Sequence, residues 1–155
     1  MKTLLTLMLA VLFSSVVSAG SLVKEIATPD NLAQAQADGM VLIDIRTVAE
    51  WQVTGLPEGA VPLQFFDANG QYDAGAFLNS LATIVEPGTP IGIICRTANR
   101  SGPVSEFLAQ QGWDVTDYQG GVVALGYHDY QPVSFEQALA DLEGSSYCSA
   151  PLASC

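Results

Sequence analysis

Two of the chain's five basic residues fall in one short stretch, Cys95-Arg96-Thr97-Ala98-Asn99-Arg100-Ser101. The chain as a whole carries a strong acidic excess, with 16 Asp and Glu and a net charge of −11, so the clustering needs a reason. A thiol beside two guanidiniums is a candidate nucleophile, because the thiolate is the reactive form and nearby positive charge favours it. An isolated cysteine here would more simply be a small apolar residue ending a core strand. The two arginines reverse that preference. The stretch also lies between the apolar run Ile91-Gly92-Ile93-Ile94 and an amphipathic segment starting at Ser101. A strand-to-helix turn of this kind offers backbone N–H groups and the positive end of a helix to an anion. Ligands of open α/β sheets bind at the carboxyl ends of strands, where this turn falls.

The elements that must hold such a turn follow from pattern and caps. Leu22 to Ile26 reads as a short strand. Thr28-Pro29-Asp30 is a helix start, with a threonine cap, proline in the first turn and an acid near the positive dipole end; Gly39 closes that helix. Val41 to Ile45 and Ile91 to Ile94 are nearly continuous apolar runs of strand length, as expected for strands buried on both faces. Thr47 to Trp51 reads as a short helix. Asp73 to Val85 places Phe77, Leu78, Leu81, Ile84 and Val85 on one helical face. Val104, Phe107 and Leu108 mark a helix over Ser101 to Gln111, ended by Gly112. Val115 to Tyr118 is a further strand. Ser134 with Gln137 predicts a capping box opening a last helix, with Phe135, Ala138, Leu139 and Leu142 inside. Alternating strands and helices predict an α/β fold with a mostly parallel central sheet and helices on both faces. Trp51 and Trp113 are expected in the core.

The first residues are set apart. Lys2 precedes an apolar run from Thr3 to Phe13, then Ser14 to Ala19, which reads as a secretory signal peptide cut near Ala19/Gly20. The run is too short for an uninterrupted span of about 20 apolar residues. The expected organisation is a signal peptide over 1–19, one domain over 20–143 and a small polar tail over 144–155. The expected location is the periplasm or the exterior, with no stable membrane insertion after cleavage. The net negative charge argues against nucleic-acid partners. Export also puts the cysteines in an oxidising compartment. Cys148 and Cys155 flank six residues and are expected to form a disulfide. The alternative is a redox pair that resolves a sulfur adduct on Cys95. His128 has no second ligand at useful spacing and reads as a surface or hydrogen-bonded histidine. No metal site and no cofactor is expected.

The loop Cys95 to Ser101 resembles the active-site loop of rhodanese domains, the sulfurtransferases. Ile43-Asp44-Ile45-Arg46 with Glu50-Trp51 resembles the family's early strand signature. Gly55-Leu56-Pro57-Glu58-Gly59-Ala60 resembles its next segment, although the family's usual histidine is absent and Glu58 is inserted. Tyr118-Gln119-Gly120-Gly121 resembles the glycine pair after a late core strand. Ala98 stands where glycine is common in the loop. The resemblance implies that Cys95 takes sulfur from a small anionic donor such as thiosulfate. The sulfur is held as a persulfide and passed to a thiol or cyanide-like acceptor. It implies that Arg100 closes the cradle and that Arg96 orients the donor from the rim. It also implies that Thr97, Ala98, Asn99 and Ser101 bind the substrate together with Arg96, and that Asp44 with Arg46 supports the loop as a buried ion pair. Four residues separate Cys95 from Arg100, whereas dual-specificity phosphatases of this fold have five. The shorter loop favours sulfur transfer over phosphatase or arsenate reductase chemistry. A non-catalytic sulfur carrier or redox-sensing module of the same fold is the alternative.

Overall fold

The computed structural model describes residues 20–143. The expected signal peptide and the Cys148–Cys155 pair lie outside these residues. Five strands form one sheet: β1 (Leu22–Ile26), β2 (Val41–Asp44), β3 (Val61–Pro62), β4 (Ile91–Ile94) and β5 (Val115–Gln119). Their order across the sheet is β1-β5-β4-β2-β3, and every paired neighbour runs parallel. Parallel neighbours need crossovers, and here the helices supply them. These are α1 (Pro29–Ala37), α2 (Val48–Thr54), α3 (Ala74–Ile84), α4 (Ser101–Gln110), α5 (Gly121–Gly126) and α6 (Phe135–Leu142).

The helices cover both faces, as the unbroken apolar runs of β2 and β4 require. On one face, α3 and α4 pack Phe77, Leu81, Ile84, Val104 and Leu108 against Ile43, Ile91 and Ile93. On the other, Leu32, Trp51, Leu125 and Ala138 come from α1, α2, α5 and α6 and meet Leu42, Ile94 and Tyr118. Each large aliphatic or aromatic side chain taken out of water contributes about 1.5–3 kcal/mol. Both layers therefore fix the height of the strand ends.

The capping reading holds for α1, where the Thr28 hydroxyl accepts from the Asn31 N–H. Three expectations change. The short helix expected over 47–51 starts at the Thr47–Glu50 capping box and runs on to Thr54, where Gly55 at φ 70° ends it. At α6 only half a box forms: Ser134 accepts from the Gln137 N–H, while the Gln137 amide turns forward to Asp141. Trp113 is half-buried at the edge of the core, whereas Trp51 is fully inside it.

Candidate active site

Cys95 directly follows β4 and is 0 % exposed, packed into the core layer beside α3 and α4. The chain then leaves the sheet, and Arg96, Thr97 and Asn99 are exposed while Ala98 and Arg100 are half-buried. Four loop carbonyls are tied to neighbours, that of Arg100 by the Val104 N–H at 3.4 Å. Cys95 O accepts from Val122 N–H at 2.9 Å and Arg96 O from Val123 N–H at 3.1 Å. Ala98 O accepts from Gly102 N–H at 3.2 Å and, weakly, from the Ser101 hydroxyl. In contrast, the N–H groups from Arg96 through Ser101 donate to no acceptor among the described residues. Backbone donors are rarely left unpaired unless water or a ligand serves them. A run of six beside a cysteine and a helix start is a ready anion site.

The glycine pair explains how the loop is held. Gly120 has φ 78° and caps α5 in the left-handed region, and Gly121 follows with φ 58°. A Cβ on Gly121 would lie 2.3 Å from Cys95 O and 2.6 Å from the Arg96 carbonyl. Only glycine lets α5 come close enough for its first N–H groups to bond the loop. Ala98 has φ 71°, a conformation that disfavours any side chain, so the glycine common at this position in the resembling loops has a conformational basis.

Arg100 and Ser101 are anchored by residues that the sequence did not link to them. The Arg100 guanidinium donates to both oxygens of Glu50 on α2, at 2.8 and 2.6 Å. This bond, more than any other effect, holds the Glu50 carboxyl down at about 2 and pushes the Arg100 guanidinium above its ordinary value. Negative charge at Cys95 and Asp44 adds smaller contributions to the Arg100 shift. Ser101 donates to the buried Asp117 carboxylate at 2.6 Å, which also accepts from the Gln119 amide. Neither Glu50 nor Asp117 was singled out as a partner. The Thr47-to-Glu50 spacing could have flagged the first, and a carboxylate on an inward strand position the second.

Asp44 and Arg46 do form a buried ion pair, with the closest contact at 2.6 Å. The spare donors of Arg46 go to Thr54 and the Gly55 carbonyl at the end of α2. The strand beneath meets β4 through the backbone, Ile45 N–H to Ile94 O. His128 is exposed. Cys95 is a free thiol. Among the described residues no cluster of His, Cys, Asp or Glu is suited to hold a metal, and no helix is long and apolar enough to cross a membrane. A cleft of about 600 Å³ opens beside the loop, walled by α2, Arg96, α5 and the segment around Tyr130.

The profile of the family described as rhodanese-like domain matches residues 28–126, from the cap of α1 to the end of α5. The chain belongs to the rhodanese-like domain family. Solved structures share its fold. Rv0390 from M. tuberculosis is 25 % identical with a TM-score of 0.55, over 65 % of this chain and 80 % of that one. A rhodanese-related protein from Thermoplasma volcanium is 20 % identical with a TM-score of 0.50, over 68 % of this chain and 93 % of that one. Reduced CoADR-RHD from Bacillus anthracis is 19 % identical with a TM-score of 0.51 over 66 % of this chain, and the match spans only 16 % of that protein. No curated protein sequence matches the chain. The rhodanese-like domain has its cysteine at the carboxyl end of a central strand. Five of the seven loop residues singled out from the sequence, Arg96 to Arg100, lie outside the core, and Cys95 and Ser101 lie within it.

Proposed function

We propose that this rhodanese-like domain is a sulfurtransferase that carries sulfur on Cys95. The observation that supports it most is the run of unpaired N–H groups from Arg96 to Ser101 next to the Cys95 thiol. In the first step the Cys95 thiolate attacks the outer sulfur of a thiosulfate-type anion. The bond between the donor's two sulfurs breaks, its electron pair leaves with sulfite, and Cys95 becomes a persulfide. The loop N–H groups would stabilise charge on the donor and on the persulfide. Arg96 would draw the donor in, while Arg100, fixed by Glu50, holds a positive charge near the sulfur. In the second step a thiolate or cyanide takes the outer sulfur, and the electron pair of the broken bond returns to Cys95. Neither step needs a metal or an organic cofactor.

The burial of Cys95 supports a second reading, a carrier or redox-sensing module loaded by a partner enzyme. Turnover separates the two. With thiosulfate and cyanide an enzyme cycles, whereas a carrier delivers one sulfur and stops. For either reading, intact-mass analysis after incubation with thiosulfate should show a gain of one sulfur atom. Cys95→Ser should abolish both the gain and the turnover while keeping the fold. Retained turnover in that variant would refute the assignment.

Export belongs to the same proposal. Amino-terminal sequencing of protein from its native compartment should find a start near Gly20. Thiol counting on that protein, denatured without reductant, should give one group at Cys95. Retention of residues 1–19, or free thiols at Cys148 and Cys155, would overturn it.

A further inference from the structure

The cleft beside the loop is far larger than an inorganic sulfur anion needs. At about 600 Å³ it falls in the range that holds organic ligands of moderate size. Its walls are largely apolar, with Val53 from α2, Val122, Val123 and Leu125 from α5, and Tyr130 beyond. Val53 is 83 % exposed and adds an open apolar rim to the Val122, Val123 and Leu125 wall, so the apolar surface here is a shared patch rather than a single residue. The α5 wall is also the wall that holds the nucleophile, since Val122 and Val123 bond the carbonyls of Cys95 and Arg96.

One charge in this cleft is unanswered. Lys24 pairs with Glu106, Arg46 with Asp44 and Arg100 with Glu50. Among the described residues Arg96 is thus the basic side chain without a carboxylate partner, and it lines the cleft. In so acidic a chain, a lone unpaired guanidinium beside an apolar wall matches a ligand with an anionic group and an apolar body.

We propose that this cleft binds the sulfur acceptor, an organic thiol with an apolar body lying along Val53, Val122 and Leu125 and an anionic group at Arg96. The inference rests on the sulfurtransferase reading above and names the substrate class of its second step. The acceptor thiolate attacks the outer sulfur of the Cys95 persulfide and a new sulfur–sulfur bond forms. The bond to Cys95 breaks with its electron pair on Cys95, and the acceptor leaves as its own persulfide. Nothing is oxidised or reduced overall, and a proton on the entering thiol goes to solvent.

The full chain, loaded with thiosulfate and freed of excess donor, is mixed with ω-mercaptopropionate, ω-mercaptohexanoate, ω-mercaptohexanol or cyanide. Burial of methylenes predicts a second-order rate constant for the hexanoate at least about tenfold above that for the propionate. Pairing with Arg96 predicts the hexanoate to exceed the neutral hexanol by about threefold or more. Val53→Asp should shrink the first ratio and Arg96→Gln the second. Octanoate, which carries no sulfur, is titrated calorimetrically into the unloaded protein and should bind, more weakly in both variants. Equal rates for the three thiols, or no octanoate binding while cyanide still unloads Cys95, would overturn the cleft assignment and leave the sulfurtransferase standing. Failure of thiosulfate to load Cys95 would instead overturn the sulfurtransferase reading, and the acceptor assignment with it.

Discussion

Glu50 holds Arg100 with both carboxylate oxygens across fifty residues of sequence, at 2.8 and 2.6 Å. The same carboxylate accepts from the Thr47 N–H and hydroxyl, each at 3.0 Å, and so closes the capping box of α2. The first turn of α2 and the end of the cysteine loop are therefore one hydrogen-bonded unit. A planar guanidinium suits such a paired contact, which a lysine cannot reproduce.

This pair makes stability depend on acid. The Glu50 carboxyl is held at about 2 in the folded chain against an ordinary value of 4.5. Its stabilising contribution is complete above the ordinary value and is lost as pH falls from there through the folded value. Glu50→Gln should cost about 1 kcal/mol at neutral pH, the figure being kept small by solvent screening at this partly exposed site. The cost should shrink toward zero by about pH 2. Urea unfolding of both proteins across that range checks the convergence.

Ala98→Gly should stabilise the protein. The left-handed φ of 71° strains alanine by about 1–2 kcal/mol, and glycine returns about 0.5–1 kcal/mol of that as extra freedom in the unfolded chain. A net gain of about 0.5–1 kcal/mol is expected as a higher urea midpoint at unchanged slope. A lower midpoint would contradict the strain argument.

Gly121→Ala should do the opposite. Its new methyl would meet Cys95 O at 2.3 Å, a backbone atom that cannot swing aside as a flexible side chain could. Strain and overpacking together should cost about 2 kcal/mol or more. Relieving the clash should shift the cysteine loop, so persulfide formation should slow more than a temperature-matched comparison of folded fractions accounts for.

The two loop arginines should separate kinetically. Arg100→Ala removes fixed charge near Cys95 and leaves Glu50 without its main partner, so kcat should fall by about tenfold to a hundredfold. Arg96→Ala loses an exposed, unpaired cation, and its effect should fall mainly on KM for the anionic donor. Equal losses of kcat in the two variants would remove the distinction.

Much of the frame was legible because short-range chemistry wrote it. Thr28-Pro29-Asp30, the runs 41–45 and 91–94 and the spacing of Val104 and Leu108 each depend on neighbours within a turn or a strand. β3 was missed because Val61–Pro62 is too short to show any period, and proline argues against a strand. α5 was missed because Gly-Val-Val-Ala-Leu-Gly has weak helix formers at both ends, and its first turn is held by the carbonyls of Cys95 and Arg96. Cys95 and Arg96 could be found as a pair of chemical types in one loop. The Arg100–Glu50 and Ser101–Asp117 links could not, since they join separate elements that only the finished sheet brings together.

The strand order β1-β5-β4-β2-β3 also sets a timetable for assembly. The first strand pairs with the last, Leu22 to Val115 through Ile26 to Gln119. A chain emerging from the ribosome therefore holds β1 idle until β5 is made. Closing so long a loop is entropically costly and belongs to slow, non-local folding. Until β5 arrives, β4 also lacks its neighbour on that side, so the sulfur-bearing strand gains its second flank only with the final strand of the sheet. Fragments ending before Val115 should thus expose two unpaired strand edges and aggregate, while the thiol at Cys95 stays open to indiscriminate oxidation until the sheet is complete.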